Sequence, residues 1–331
     1  MKTFLQLFFA RNKEFYRDRG SLSWALVFPT LIIIGCAIAF SDDNENLLTL
    51  GYFPATVQPA GLAALDQPYS KWIAYDELAT GQARLRHHQL HALVDSSSRV
   101  IWLNPNSSQG RLVMQLTADH PDYRQQLLDG QPIRYVDWVI PGVLGMNIMF
   151  GSLFGVGYVL VRYRKNGVLK RLQATPVSAL QFLSAQVASR LFLVVATNAL
   201  IFVGSDMFLD LVFVGHWWDL LLVAVLGAMS MISLALLIAS RTDSEEFAGG
   251  ILNATTWPMM FLSGIWFSLD DTPPAMQRLA DFLPLTHLVK AGREIMINGA
   301  GLADVAVHLL VMLVMTLCCL ALAAILFRWR N

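Results

Sequence analysis

The side chains that could do chemistry in this sequence are few and scattered. His87-His88-Gln89-Leu90-His91 sets two histidines four residues apart, on one helix face, as in the zinc-binding pattern H-E-x-x-H. The position of the general-base glutamate is held by His88, so the run reads as a solvated helix end or an adventitious metal site. No G-x-x-x-x-G-K-[ST] loop is present to cradle nucleotide phosphates, and no G-x-S-x-G elbow. Cys36, Cys318 and Cys319 lie in apolar blocks, where a disulfide framework is implausible. Those blocks hold almost no ionisable residues, which argues against an ion-coupled carrier or a polar pore. The nearest exception is Arg190.

The elements that carry these residues are set by composition. Of 331 residues 55% are hydrophobic and 15% charged, against roughly 25% charged in a soluble domain. Lys+Arg and Asp+Glu both number 24, leaving no electrostatic footprint for nucleic acid. With a mean hydropathy of +0.49, the apolar residues fall in blocks of about 20, the length a helix needs to cross a bilayer. Disorder, collagen, coiled coil and a soluble cytosolic enzyme are excluded. The fold class expected is mainly α, a polytopic membrane protein with six transmembrane helices. They are Ser21–Phe40, Trp138–Val161, one within Val177–Ser205, Leu220–Ala239, Ala248–Leu269 and Val305–Phe327. An arginine at a helix centre costs about 2.5–3.5 kcal/mol on insertion scales. Pro176–Arg190 is therefore expected to run partly along the interface, with the third span starting near Leu191.

Cations set the orientation. With the N-terminus inside, the inner segments 1–20, 162–176, 240–247 and 328–331 carry 13 Lys/Arg in 47 residues. The outer segments 41–134, 206–218 and 269–303 carry 10 in 142. This positive-inside bias, strongest in Arg162–Arg171, places both termini in the cytoplasm. Residues 1–20 read as an amphipathic interfacial helix, with Phe4, Phe8 and Phe15 at helical spacing and basic residues between. The run Arg11–Arg19 follows directly without a small-residue cleavage site, so no cleaved signal is expected.

Residues 41–134, between the spans 21–40 and 135 onward, turn polar and are expected to form a small extracytoplasmic α/β domain. Leu47–Phe53, Lys71–Tyr75, His91–Val94, Val100–Leu103 and Arg111–Leu116 read as strands, and Asp76–Gln89 and Asp122–Leu128 as helices. In the second span, Gly151-Ser-Leu-Phe-Gly155 is a GxxxG that allows close helix approach, by packing within the bundle or along a dimer or substrate face. In the fifth, Asn253, Thr255, Thr256 and Pro258 put polar groups and a kink at mid-depth. Asp270-Asp271-Thr-Pro273-Pro274 then breaks the chain, and about 273–297 is too charged to span, fitting a re-entrant or interfacial segment.

Three runs taken together resemble the permeases of ABC-2 type exporters. Arg162-Tyr-Arg-Lys-Asn-Gly167-Val-Leu-Lys-Arg171-Leu-Gln-Ala-Thr-Pro176-Val-Ser178 is similar to that family's first cytoplasmic loop. Pro258-Met-Met-Phe-Leu-Ser263-Gly264 and Leu283-Pro284-Leu-Thr-His287-Leu-Val are similar to its fifth span and outer hairpin. The similarity covers roughly Val136–Phe327, so 135–331 is expected to be the transmembrane domain, and the outer domain resembles the long outer-loop branch.

The resemblance implies a permease of a bacterial inner membrane that is not catalytic by itself. It implies an ABC ATPase subunit as a separate chain, which binds the ATP and Mg, while this chain binds no cofactor and no metal. It further implies a second permease copy in a homo- or heterodimer, the lipid bilayer as its medium, and room for a periplasmic adaptor. Arg162, Arg164, Lys165, Gly167, Leu169, Lys170, Arg171 and Pro176 would form the loop that docks on the ATPase. Asn147, Phe150, Phe154, Asn253, Thr256, Met259 and Phe261 would line a cleft at the dimer interface, suited to a hydrophobic or amphipathic substrate. A receptor whose outer domain binds a ligand, or an ion-coupled carrier, are the alternatives.

Overall fold

The computed structural model describes residues 2–39, 48–57, 59, 62, 65, 70–86, 90–118, 120–130, 133–175, 177–240, 242, 244–269 and 272–326. The chain divides into two compact units, Ala37–Val136 and the rest. It begins with α1 (Lys2–Arg17) and α2 (Arg19–Ala39). Between them the Asp18 carboxylate accepts from the Ser21 amide at 3.1 Å and hydroxyl at 2.6 Å, capping the first turn of α2.

The smaller unit is built on five strands, β1 (Leu48–Phe53), β2 (Ser70–Ala74), β3 (Ala92–Asp95), β4 (Val100–Leu103) and β5 (Arg124–Leu127). Their order is β2-β1-β3-β4-β5, parallel throughout except for the antiparallel β3–β4 pair. That hairpin turns on Asp95, whose carboxylate accepts from the amides of Ser97 and Ser98 and the Ser98 hydroxyl. Every residue of the central strand β3 is buried. Leu50, Val94, Ile101, Leu103 and Val113 form one core cluster, and Leu85, Leu90 and Leu93 another, around α3 (Leu78–Arg86) and α4 (Ser108–Leu116).

Two expectations exchange places here. Arg111–Leu116, read as a strand, lies in α4: the Ser107 hydroxyl accepts from the Gly110 amide at 3.2 Å, and Val113 faces the core. Asp122–Leu128, read as a helix, contains β5, a polar edge strand whose extended form comes from pairing with β4. His91 is tied inward, its Nδ1 accepting from the Thr49 amide at 2.8 Å. His87, His88 and Gln89 lie outside the described residues, as do Leu47 and the Ser41–Asn46 run.

The larger unit continues with a single helix over Tyr135–Lys165, 31 residues long. It comprises α5 (Tyr135–Ser152), a π-helical turn at Leu153–Tyr158, and α6 (Val159–Lys165). There follow α7 (Val168–Gln173), α8 (Ala179–Leu209), α9 (Trp217–Ala239), α10 (Glu245–Leu262), α11 (Pro274–Ala280), α12 (Pro284–Asn298) and α13 (Ala306–Leu326). Among the described residues five helices are long and apolar enough to cross a membrane: Arg19–Ala39, Tyr135–Lys165, Gln181–Leu209, Trp217–Ala239 and Ala306–Leu326. Six were expected. Ala248–Leu269 is not among the five because α10 stops at Leu262, where Gly264 at φ +70° turns the chain. Glu245, Glu246 and Asn253 also lower its apolar character.

The third span lies within a longer helix: Ala179–Leu209 is uninterrupted, so a run along the interface before Leu191 would be continuous with the span, and Arg190 lies within the helix. Its start is fixed by a capping box between Ser178 and Gln181.

The centre of this unit is α9, against which α13, α12, α8 and the π turn pack. Small residues make it possible. A methyl on Gly227 would stand 2.5 Å from the Leu288 side chain. The Ser230 and Ser233 hydroxyls turn back onto carbonyls of their own helix at 2.7 Å, which lets other helices approach. Buried on most sides, α12 packs on α9 and α13. Its Arg293 lies 3.7 Å from the Trp138 ring centre and donates to the carbonyls of Trp138 at 3.2 Å and Gly264 at 3.0 Å.

Candidate functional site

The functional features converge on the end of the larger unit where α6 stops and α8 starts. The π turn adds a residue to the helical ladder and displaces backbone groups from their usual partners. Gly155, inside that turn, has a carbonyl that accepts from Arg11 Nη2 of α1 at 3.3 Å. One turn earlier, the Gly151 carbonyl accepts from Arg190 Nε of α8. Arg190 also lies 5.5 Å from the Phe15 ring centre.

Arg11 completes the cluster. Its Nη1 donates to Glu14 at 2.7 Å and to the Tyr163 hydroxyl at 3.3 Å, and Tyr163 in turn donates to Glu14. On the adjoining face the Ser189 hydroxyl donates to Asn12 Oδ1 at 3.0 Å, both residues buried. The helix α1 is therefore clamped to α8 and the π turn through its Arg11, Asn12 and Phe15 face, while Leu5 and Phe9 are exposed.

Glu14 is the titratable member. Burial works against its charge, but the Tyr163 hydroxyl and Arg11 together hold its carboxyl below the ordinary value of 4.5. A carboxylate lowered on folding stabilises fully above its unfolded value and loses that contribution as pH falls through the folded one. We expect the melting temperature of Glu14→Gln to lie below wild type at pH 7 by an amount worth about 1 kcal/mol or less. The gap should close below pH 4.5. A gap of constant size from pH 7 to pH 3 would remove Glu14 from the clamp.

The basic loop divides by role. Arg164 is not on offer to a partner: Nη1 donates to the Ala239 carbonyl at 3.0 Å and to that of Thr242, and Nη2 to that of Ser240 at 3.1 Å. It thus latches α6 onto the C-terminal end of α9, where carbonyls lack helical partners. Lys165 pairs with Glu245 and Glu246, both at 3.9 Å. Gly167, at φ +67°, ends α6 and starts α7 in a left-handed conformation that other residues rarely adopt. Leu169 is buried and anchors α7. Arg162, Lys170 and Arg171 are exposed, and Arg171 donates to the Asn166 carbonyl at 3.2 Å. Pro176 lies outside the described residues.

The expected path residues do not form one surface. Thr256 and Met259 are buried in the bundle, and Thr256 bonds its own helix at Leu252. Asn147 is buried in α5. Phe150 and Phe154 stack at 5.9 Å and are half-buried. Asn253 and Phe261 lie on the exposed face of α10, beside Phe247, Gly250 and Trp257. Trp257 and Phe261 stack at 6.3 Å.

Arg11, Glu14, Tyr163 and Arg190 had no place in the sequence-based site. Their signal was present: an arginine inside an apolar stretch, opposite a GxxxG in the preceding span, marks a cation buried against exposed carbonyls. Among the described residues no group of three or more His, Cys, Asp or Glu side chains gathers to hold a metal.

The five helices long and apolar enough to cross a membrane among the described residues define a multi-pass membrane protein. Residues 92–325 match the family described as ABC-2 family transporter protein, and the chain belongs to it. Nodulation protein J of Rhizobium leguminosarum bv. viciae is 33% identical over 98 residues, 28% of this chain and 37% of its own length. The linearmycin resistance permease protein LnrN of Bacillus subtilis is 29% identical over 174 residues, 49% of this chain and 42% of its own. The probable multidrug ABC transporter permease YbhR of Escherichia coli is 22% identical over 231 residues, 64% of this chain and 62% of its own. The chain thus matches less than two thirds of the length of each of these relatives.

Proposed function

We propose that this chain is the membrane-spanning permease subunit of an ATP-driven exporter in a bacterial inner membrane. In this reading α10 also spans, as the fifth of six, both termini face the cytoplasm, and α1 lies at the inner interface. A separate ABC ATPase docks on α7 and its flanks. One observation carries the reading: a short helix with exposed Lys170 and Arg171 is held rigidly at the end of a 31-residue helix by Gly167, buried Leu169 and the Arg164 latch. Such an element passes rigid-body motion into the bundle.

A second permease copy would meet the exposed aromatic face of α10, with Phe150 and Phe154 of α5 nearby in the resulting cleft. The substrate would be hydrophobic or amphipathic. Two of the relatives are named for linearmycin resistance and multidrug transport, which supports a drug- or lipid-like cargo moved outward. The unit Ala37–Val136 would stand outside, where it gates exit or meets a periplasmic adaptor.

The test is capture of the tagged full chain from its native host in mild detergent, with an ATPase assay and partner identification. A P-loop ATPase in roughly equimolar amount is expected with wild type. Arg171→Glu should lose it while the melting temperature stays within about 0.5 kcal/mol of wild type, as for other exposed substitutions. Capture of the ATPase by Arg171→Glu at wild-type yield would sink the docking assignment.

A further inference from the structure

Within the clamp, Arg190 is a cation without a counter-ion. Glu14, the acid of the cluster, is held by Arg11 at 2.7 Å and by the Tyr163 hydroxyl. Among the described residues Arg190 has no carboxylate partner, and its one hydrogen bond runs from Nε to the Gly151 carbonyl. That leaves the four N–H donors of Nη1 and Nη2 without an acceptor. These nitrogens are not sealed in. Neither is among the wholly enclosed polar atoms that lack a partner, and Arg190 as a whole is half-buried.

A charge in an apolar helix demands a partner for its open donors, and depth in the membrane decides which anion is at hand. Counting back from Leu209, about 20 residues, or about 30 Å of helix, end at Arg190. With Leu209 at one edge of the hydrocarbon, Arg190 falls at the other, where the lipid phosphates begin. The surroundings favour a headgroup of net negative charge. Residues 1–20 hold Lys2, Arg11, Lys13, Arg17 and Arg19 against Glu14 and Asp18, and such a cluster draws anionic lipid over zwitterionic lipid. Free phosphate would leave an apolar flank bare. Phe9 and Phe192 are exposed beside the contact of Phe8 with Phe192 that joins α1 to α8, and offer a surface to acyl chains.

We propose that Arg190 binds the phosphate of an anionic phospholipid through Nη1 and Nη2, with the acyl chains lying along Phe9 and Phe192. The site depends on neither an ATPase nor a cargo, so its failure would leave the transport reading standing.

The experiment uses the full chain, delipidated in mild detergent, and native mass spectrometry with phosphatidylglycerol, phosphatidylcholine or inorganic phosphate added. Wild type should take up one phosphatidylglycerol at a concentration about tenfold below that needed for phosphatidylcholine or for further lipids. Arg190→Met should weaken this first binding about tenfold, the worth of one hydrogen bond to a charged group, and leave the later, weaker adducts unchanged. Undiminished binding by Arg190→Met, or equal binding of the two lipids by wild type, would overturn the proposal. Inorganic phosphate should not compete, and displacement of the lipid by phosphate alone would overturn it in favour of a free-anion site. If Arg190→Met fails to fold, wild type decides. A phosphatidylglycerol bearing a diazirine at the head of one acyl chain should label α1 and the first half of α8, and excess plain phosphatidylglycerol should displace it. Labelling confined to other helices overturns the site.

Discussion

Gly155→Ala should lower the stability of the purified protein by about 1–3 kcal/mol, the usual range for overpacking, and Arg190→Met should abolish that extra cost. A methyl on Gly155 would stand 1.9 Å from the guanidinium carbon of Arg190 and 2.0 Å from Nη2. Arginine is flexible, so the group would swing aside instead of forcing the backbone apart. Swinging aside surrenders the bond to the Gly151 carbonyl and the stacking on Phe15, and leaves a largely buried cation without either. Once Arg190 is replaced by an apolar side chain, the methyl has nothing charged to displace. The two substitutions should therefore be non-additive, the double variant being no worse than Arg190→Met alone. Melting in detergent measures all three. Additive losses would mean that glycine and arginine act independently, and the clamp as described would be wrong.

The second large effect separates two arginines seven residues apart in one loop. Arg164→Gln should cost about 2–3 kcal/mol, because three carbonyls at the end of α9 lose a charged donor. Arg164→Lys should recover only part of this, since an ammonium cannot reproduce the planar fork. Under the proposed function, Arg164→Gln still captures the ATPase but transports poorly, whereas Arg171→Glu melts normally and fails to capture it. Melting temperature, capture yield and ATP-driven flux in the same preparations read out this reversal. If Arg164→Gln melts like wild type, Arg164 is a docking residue after all.

Much of the architecture was legible because its causes are local. Blocks of about twenty apolar residues have few alternatives to helices, and α9 and α13 fall close to their expected limits. The apolar strands β1, β3 and β4 were also readable, their branched and aromatic residues matching a buried sheet. What failed depended on neighbours. The segment Arg124–Leu127 is polar and is extended only because β4 lies beside it. Arg111–Leu116 has a run of apolar residues that suits either state until Ser107 caps it as a helix. The length of α10 was overread because the stop at Gly264 is a matter of one left-handed residue.

The site divides the same way. The cations of the basic loop were visible as charge, but their division into the Arg164 latch and the exposed Arg162, Lys170 and Arg171 required the end of α9, some 75 residues on. Arg190 was read by its insertion cost alone, which pushed it outward. Its partners, the Phe15 ring of α1 and the Gly151 carbonyl of α5, are ones that no spacing within one segment reveals.

The unbroken course of α8 has a mechanical consequence. At 31 residues and 1.5 Å per residue the rod is roughly 46 Å long, against a hydrocarbon thickness of about 30 Å. A mismatch of that size is accommodated by tilt or by a protruding stem. Arg190 sits roughly 17 Å from the N-terminal end, near where such a stem would enter the bilayer. Held there by Gly151, it would serve as a fulcrum. A push on the short arm beside α7 would swing the long arm, which ends at Leu209, the other way. Displacement at one membrane face would then arrive at the opposite face reversed in direction and enlarged by the ratio of the two arms.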